Sequence, residues 1–190
     1  MRYPPKIGLV LFLTFIYGCS WVKHQQVSAH LGDPTSFVTT AKVLNAPRLK
    51  QGGKLLIIPF KAGEDVEATD EIDKLALTIV KGIIEKLQVQ GSPFEIIFAQ
   101  NANEADLSIE GHITGVGLSS KFKKLILRDK GKSLSVSGKL VNQKTEETIL
   151  VFTDSKQDRD RSKTFIDLAY GIGRDVGDYI LAKSQKEIDY

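Results

Sequence analysis

Residues 54–98 read KLLIIPFKAGEDVEATDEIDKLALTIVKGIIEKLQVQGSPFEIIF. Residues 54–60 are a short apolar run, and their length and branched side chains predict a strand buried on both faces. Residues 94–98 predict a second short strand. Between the two, aliphatic residues recur at helical spacing over residues 70–90 and predict one amphipathic helix. Strand, helix and strand in this order predict a βαβ unit with parallel strands and a right-handed crossover.

The helix over residues 70–90 has both a predicted start and a predicted stop. Thr69 or Asp70 can cap its first turn, and Gly91 can end it. Its apolar stripe could serve as a partner-binding face, but burial of about seven aliphatic side chains, at roughly 1.5–3 kcal/mol each, favours a core role. Pro59 has no N–H to donate, so the first strand should end or bulge there. The stripe consists of Ile72, Leu75, Ala76, Ile79, Val80, Ile83, Ile84 and Leu87.

The second half of the chain predicts three more strands and a second helix. Residues 106–114 and 133–141 alternate between apolar and polar side chains, as half-buried strands do. Residues 148–153 follow a turn and should pair with 133–141 as an antiparallel hairpin. Residues 164–184 carry another helical stripe. The predicted order is β-α-β-β-β-β-α, which makes an α/β (α+β) domain with a single mixed sheet and helices packed on it.

Two groups of glycines stand inside these predicted elements. Gly115 and Gly117 predict a bulge or bend at the end of a strand. Gly171, Gly173 and Gly177 lie inside the last helix, whereas a dinucleotide-binding loop must follow a strand and open a helix. We therefore expect these three glycines to mark close packing of that helix against the sheet.

The amino terminus predicts a secretory signal peptide. A short basic start is followed by residues 7–17, an apolar run of about the length of a signal-peptide core, and then by a small residue, Gly18. A membrane-spanning helix needs about 20 apolar residues, so this run is too short to span a bilayer. The one cysteine of the chain, Cys19, directly follows.

Residues 16–19, Ile-Tyr-Gly-Cys, resemble the lipobox of bacterial lipoproteins. The resemblance implies cleavage before Cys19, a diacylglyceryl group on its thiol and an acyl chain (commonly palmitate) on its amine. One acyl chain anchors a protein only marginally, so several chains give stable attachment. Ser20 follows the cysteine, which by analogy with enterobacterial sorting favours the outer membrane over the inner one. The alternative is a secreted protein in which Cys19 is incidental.

The chain therefore divides into four parts. Residues 1–18 are a lipoprotein signal peptide, and residues 19–50 are a lipidated tether with an irregular lead-in. Residues 51–185 form the α/β envelope domain, and residues 186–190 are a tail. Apolar residues are 42 % and charged residues 26 % of the 190, which is typical of globular proteins.

The composition also excludes several classes of site. One cysteine rules out an internal disulfide framework and a multi-cysteine zinc site. His24, His30 and His112 are not closely paired, and His112 should face away from the apolar side of its strand. The net charge of +3 is too slight to argue for nucleic-acid binding. No nucleophile, acid pair or metal motif is present, so we expect no enzyme activity, no catalytic residue, no metal and no cofactor.

A concentration of basic residues predicts a surface contact. One interpretation is a contact with anionic lipid headgroups, a glycan or an acidic protein partner, and the other is a solvated hairpin arm. Aliphatic residues between the charges favour the contact. The basic residues are Lys121, Lys123, Lys124, Arg128, Lys130 and Lys132.

Three short phrases, at residues 54–60, 105–113 and 136–142, carry a resemblance to a group of bacterial envelope lipoproteins. Together with the order of elements and the last helix, they resemble the amino-terminal domain of TolB, the curli-secretion lipoprotein CsgG and the lipoprotein activators of penicillin-binding proteins. The resemblance implies a periplasm-facing interaction module and brings no active-site residue.

From these observations we expect a membrane-anchored, non-enzymatic accessory subunit of an envelope assembly, with an unidentified envelope partner. An oligomer is compatible with this expectation. One alternative is a subunit of a curli-type secretion pore, for which only residues 113–136 could supply membrane-crossing strands. The other is an enzyme that modifies envelope polymers, which no motif supports.

Overall fold

The fold is a mixed sheet with helices, described by a computed structural model over residues 38–117, 132–158 and 162–185. The strands are β1 (Thr40–Val43), β2 (Gly53–Ile57), β3 (Lys61–Ala62), β4 (Phe94–Ile97), β5 (Leu107–Val116), β6 (Lys132–Asn142) and β7 (Thr148–Asp158). The helices are α1 (Ala46–Gln51), α2 (Asp70–Leu87) and α3 (Phe165–Ser184), and 3₁₀ turns occupy Ala99–Glu104.

The seven strands form one sheet in the order β1-β7-β6-β5-β2-β4, and β3 pairs with β5 beside β2. β2 is parallel to β4 and to β5, whereas β5, β6, β7 and β1 are antiparallel in succession. The prediction of a single mixed sheet is confirmed, as are the parallel pair and the hairpin. The register of β5 against β6 shifts between Ile113 and Gly115, so the predicted bulge is present.

All seven predicted elements occur in the predicted order, and the structure adds shorter ones. The prediction of an irregular lead-in before residue 51 is wrong for the described residues of that segment. They form β1, which pairs with β7, and then α1. Asn45 caps α1 by accepting a hydrogen bond from the Arg48 amide, and Pro47 lies in the first turn, where its missing N–H costs nothing. Leu49 of α1 is fully buried, so residues before 51 also belong to the core.

Helix α2 supplies much of that core. Its predicted stripe is buried or half-buried against the sheet and α3, which confirms the core role over a partner-binding one. The Thr69 hydroxyl caps the first turn by accepting the amide of Ile72. The helix ends at Leu87, short of the predicted residue 90, and Gly91 lies beyond it in a turn with φ of +85°.

The backbones of α2 and α3 touch at glycines. A Cβ added to Gly173 would lie 2.1 Å from the carbonyl oxygen of Ile79, and one added to Gly82 would lie 2.6 Å from that of Tyr170. Gly177 is similarly closed by Ile83 and Lys86 of α2. The expectation that these glycines mark close packing is therefore confirmed. The predicted packing partner was the sheet, and this is wrong for Gly173 and Gly177, which pack against α2.

The contact between α2 and α3 places both helices on one face of the sheet. α3 packs on β6 and β7, α2 packs on β3 and β4, and α1 contacts α3 and β7. The apolar residues of the central strands point toward these helices, as Ile109, Ile113 and Leu140 do with no exposed surface. The opposite face of β5, β6 and β7 carries no helix within the described ranges.

A buried carboxylate holds the start of β1. One oxygen of Asp154 accepts hydrogen bonds from the amide and hydroxyl of Thr39 and from the amide of Ser155. Its other oxygen has no hydrogen-bond partner within the described part of the chain. Burial raises the pKa of Asp154, and the nearby negative charge of Asp175, itself paired with Lys156, acts in the same direction.

The glycine contact predicts a difference between two alanine variants of α3. Gly173→Ala should lower the free energy of unfolding by about 1–3 kcal/mol, because the new Cβ would overpack the backbone of α2. Gly171→Ala is the matched control, since its Cβ would meet only the flexible side chain of Lys156. Urea denaturation measures both, and equal stabilities would contradict a backbone contact at Gly173.

The Asp154 carboxyl predicts a pH-dependent effect on stability. A carboxyl with a raised pKa in the folded state favours folding below the ordinary aspartate pKa of about 4, and this contribution is lost as pH rises through the raised value. Asp154→Asn removes that loss, so its stability relative to wild type should increase between pH 4 and pH 7, measured by urea denaturation.

Asp167→Asn is the control of opposite sign. Hydrogen bonds from the backbone and side chain of Thr164 lower the pKa of Asp167, so its contribution appears above the ordinary pKa and is lost in acid. This variant should therefore become less stable relative to wild type as pH rises. The same pH trend in both variants would contradict the assignment to Asp154.

Candidate functional site

The candidate site is the sheet face opposite the helices, which we call the open face. Side chains alternate along a strand, so residues next to the core positions point to this face. They are mainly hydroxyl-bearing or charged, and one larger apolar residue, Val151, is 37 % exposed among them. The open-face residues of β1, β5, β6 and β7 are Thr40, Lys42, Glu110, His112, Thr114, Ser135, Ser137, Lys139, Val151, Thr153 and Ser155.

A groove of about 510 Å³ crosses the middle of this face. It begins where β2 ends at Ile57, because Pro59 cannot continue the ladder and the chain leaves the sheet for residues 58–60. β3 then resumes pairing with β5 at Lys61. Ile58 and Pro59 form one side of the groove, and β5, β6 and β7 form its floor and far side.

Two glycines and two phenylalanines fix the floor of the groove. Gly111 and Gly138 are paired across β5 and β6, and neither has room for a Cβ on the helix side. Phe60 fills the space under Gly111, and Phe152 fills the space under Gly138. The two rings are 6.2 Å apart and both are buried, so the floor rests on packed aromatic side chains.

One row of polar side chains runs across five strands through the groove. Lys61 is paired with His112, His112 with Ser137, Ser137 with Thr153, and Thr153 with Thr40. Neighbouring strands are about 4.8 Å apart, so each side chain in the row stands next to the following one. We call these five residues the polar row.

The row next to the polar row contains Glu110 and Lys139, and its two charges are of opposite sign. Lys139 pairs with Glu110 at 2.9 Å, so these two charges neutralise each other. Lys61 and His112 have no ion pair or side-chain hydrogen bond with any residue in the described ranges. A second depression of about 330 Å³ adjoins the groove beyond His112, and its walls include Glu64 and Asp65. His112 therefore lies between the groove and this second depression.

A charged cluster at the amino end of β2 is structural. Asp106 accepts the Lys54 amide at 3.1 Å and pairs with the Lys144 ammonium at 2.9 Å. These hydrogen bonds, the one from Lys144 first, lower the pKa of Asp106. Asp106 belongs to one of the phrases that carry the family resemblance, and its contacts fix the starts of β2 and β5.

Within the described ranges, no group of three or more His, Cys, Asp and Glu side chains is arranged to hold a metal ion. Across the same ranges, no helix combines the length and hydropathy that crossing a bilayer requires.

Most of the residues predicted to carry function lie outside the described residues. These are Cys19 and five of the six basic residues, Lys121, Lys123, Lys124, Arg128 and Lys130; His24 and His30, for which no site was predicted, also lie outside the described residues. Lys132 is the exception. Its ammonium donates a hydrogen bond to the carbonyl of Lys163 at 2.7 Å, which ties the start of β6 to the segment before α3.

His112, for which no site was predicted, lies in the groove and faces away from the core as expected. The rest of the polar row was not predicted from the sequence either. Its members come from β1, β3, β5, β6 and β7, and their register across the sheet cannot be read from local patterns. The signal that was available is the out-facing Ser and Thr positions of β6 and β7.

Comparison with known proteins yields fold relatives only. No family model matches the chain, and no curated protein matches it. Among solved structures, PelC from Paraburkholderia phytofirmans, a dodecamer, has a TM-score of 0.52 at 13 % identity, covering 77 % of this chain and 99 % of that one. Protein XCC0632 from Xanthomonas campestris, of the DUF330 family, has a TM-score of 0.50 at 11 % identity, covering 77 % and 94 %.

These similarities establish a fold shared with two bacterial proteins. The grouping with TolB, CsgG and the penicillin-binding-protein activators stays a prediction. Of the residues considered for a curli-type pore, 113–116 and 132–136 lie in β5 and β6, within the sheet on which the helices pack, and Gly117 directly follows β5. Residues 118–131 lie outside the described part of the chain.

Proposed function

We propose that this chain is a bacterial envelope lipoprotein, anchored through Cys19, whose domain is a non-enzymatic interaction subunit of an envelope assembly. The observation that carries the proposal is the position of the single cysteine of the chain, directly after a short apolar segment and a glycine. Ser20 favours attachment to the outer membrane. The similarity to two bacterial proteins shows a shared fold and names no partner.

We extend this proposal to self-association of the domain. Its support is that PelC, which shares the fold, was solved as a dodecamer. Homo-oligomers with closed symmetry are the commonest assemblies of soluble domains. Anchoring and self-association are separate parts of the proposal, and each has its own experiment.

Anchoring predicts a covalent acyl group on Cys19. Cells expressing the full chain and fed an alkyne-bearing palmitate should yield a labelled protein, because acylation modifies the thiol and the new amino terminus. Cys19→Ser should abolish the label and leave the uncleaved precursor, which is longer by residues 1–18. Labelling that persists in Cys19→Ser, or wild-type protein that takes up no label, would contradict the proposal.

Self-association predicts a particle larger than one chain. Light scattering of the full chain in mild detergent, with the detergent mass subtracted, should give a multiple of the single-chain mass that decreases on dilution. A single-chain mass at every concentration up to the micromolar range would contradict self-association. That result would leave the anchoring experiment unaffected.

A further inference from the structure

The groove on the open face contains a lysine and a histidine that have no ionic partner among the described residues. Lys61 and His112 are paired across β3 and β5, and both side chains are exposed. Each can donate hydrogen bonds from a nitrogen, and lysine carries a full positive charge. The nearest other lysine in the groove, Lys139, is already neutralised by Glu110. Lys61 and His112 are therefore the groove's available sites for a negative charge.

Hydroxyl groups continue the same row. Ser137 and Thr153 stand beside His112 in register, and neither hydroxyl bonds to another residue of the described ranges. A hydroxyl can turn its hydrogen toward an acceptor, and an oxyanion offers several acceptor lone pairs. The row thus contains four hydrogen-bond donors on neighbouring strands, namely an ammonium, an imidazole and two hydroxyls. Their side chains do not hydrogen-bond to one another.

The walls of the groove suit the rest of a small molecule. Its volume of about 510 Å³ exceeds the needs of a bare ion and falls within the range of roughly 300–1,000 Å³ for small-ligand sites. Ile58 and Pro59 give one side of it an apolar surface, and Val151 of β7 lies on the far side. The carboxylate of Glu64 lies beyond His112 in the adjoining depression, so an anion is favoured on the Lys61 side.

We propose that the groove binds a soluble small ligand that carries an oxyanion, a phosphate or a carboxylate, beside an apolar group. Lys61 and His112 hold the oxyanion by charge-assisted hydrogen bonds, and Ser137 donates a further one. The apolar part of the ligand contacts Ile58 and Pro59. This site goes beyond the proposed function and does not depend on the lipid anchor or on self-association.

The test is an NMR titration of the full chain in a zwitterionic detergent. Phenyl phosphate and benzoate are the probes, and benzyl alcohol is the uncharged control with the same ring. Both anions should shift the backbone amides of Lys61, His112 and Ser137 in a saturable manner, whereas benzyl alcohol should bind more weakly. Equal binding of all three probes, or shifts located elsewhere, would overturn the proposal.

Variants test the assignment to individual side chains. Lys61→Gln and His112→Gln should each weaken phenyl phosphate binding about tenfold, the effect of losing one charge-assisted hydrogen bond. Lys61→Arg should retain binding. Lys74→Gln, at an exposed position of α2, is the matched control and should leave affinity unchanged. Equal affinity in all variants would overturn the proposal, and thermal melting confirms that each one is folded.

A vesicle experiment distinguishes the two sources of a phosphate group. Vesicles of phosphatidylglycerol, with phosphatidylcholine vesicles as the neutral control, are mixed with the Cys19→Ser chain and separated by flotation. The proposal expects that Lys61→Gln does not change the amount of chain that floats. Binding to phosphatidylglycerol that requires Lys61, without binding of the soluble probes, would overturn the soluble-ligand proposal in favour of a lipid headgroup.

Discussion

The direct contact between the backbones of α2 and α3 is the constraint on which the rest of the structure depends. At Gly82 and Gly173 there is no room for a side chain, so the two helices lie close enough to share one face of the sheet. That face then contains the buried aliphatic residues of the domain. The other face carries mainly polar and charged side chains along its central strands, and the groove lies on this face, which no helix covers within the described ranges.

The long elements of this fold could be predicted, because each one carries its own period. The α2 stripe repeats along its 18 residues, and residues 106–114 and 133–141 alternate in β5 and β6. β1 and β3 could not be predicted. β1 has four residues and β3 has two, too few for a period to show, and both exist because neighbouring strands offer hydrogen bonds. Pro47 stands in the first turn of α1, where proline is favoured.

The groove shows the same division between local and long-range information. Pro59 predicted the end of β2, and alternation placed His112 on the outer side of β5. The neighbour of His112 could not be predicted, because Lys61 is far from it in sequence and reaches it only after the chain leaves the sheet and returns as β3. The ion pair could not be predicted either, since only the strand register shows that Glu110 faces Lys139. Lys61 has no ionic partner within the described ranges.

The sheet ends in β1 on one side and β4 on the other, and each of these strands has four residues. A terminal strand has backbone N–H and C=O groups that can template another strand, and a short one limits how much unwanted pairing it can support. The two edges also differ in sequence. If two copies paired through the β1 edge of one and the β4 edge of the other, the contact would therefore be head-to-tail. Head-to-tail contacts close into a ring or continue as a filament, depending on the rotation between successive copies.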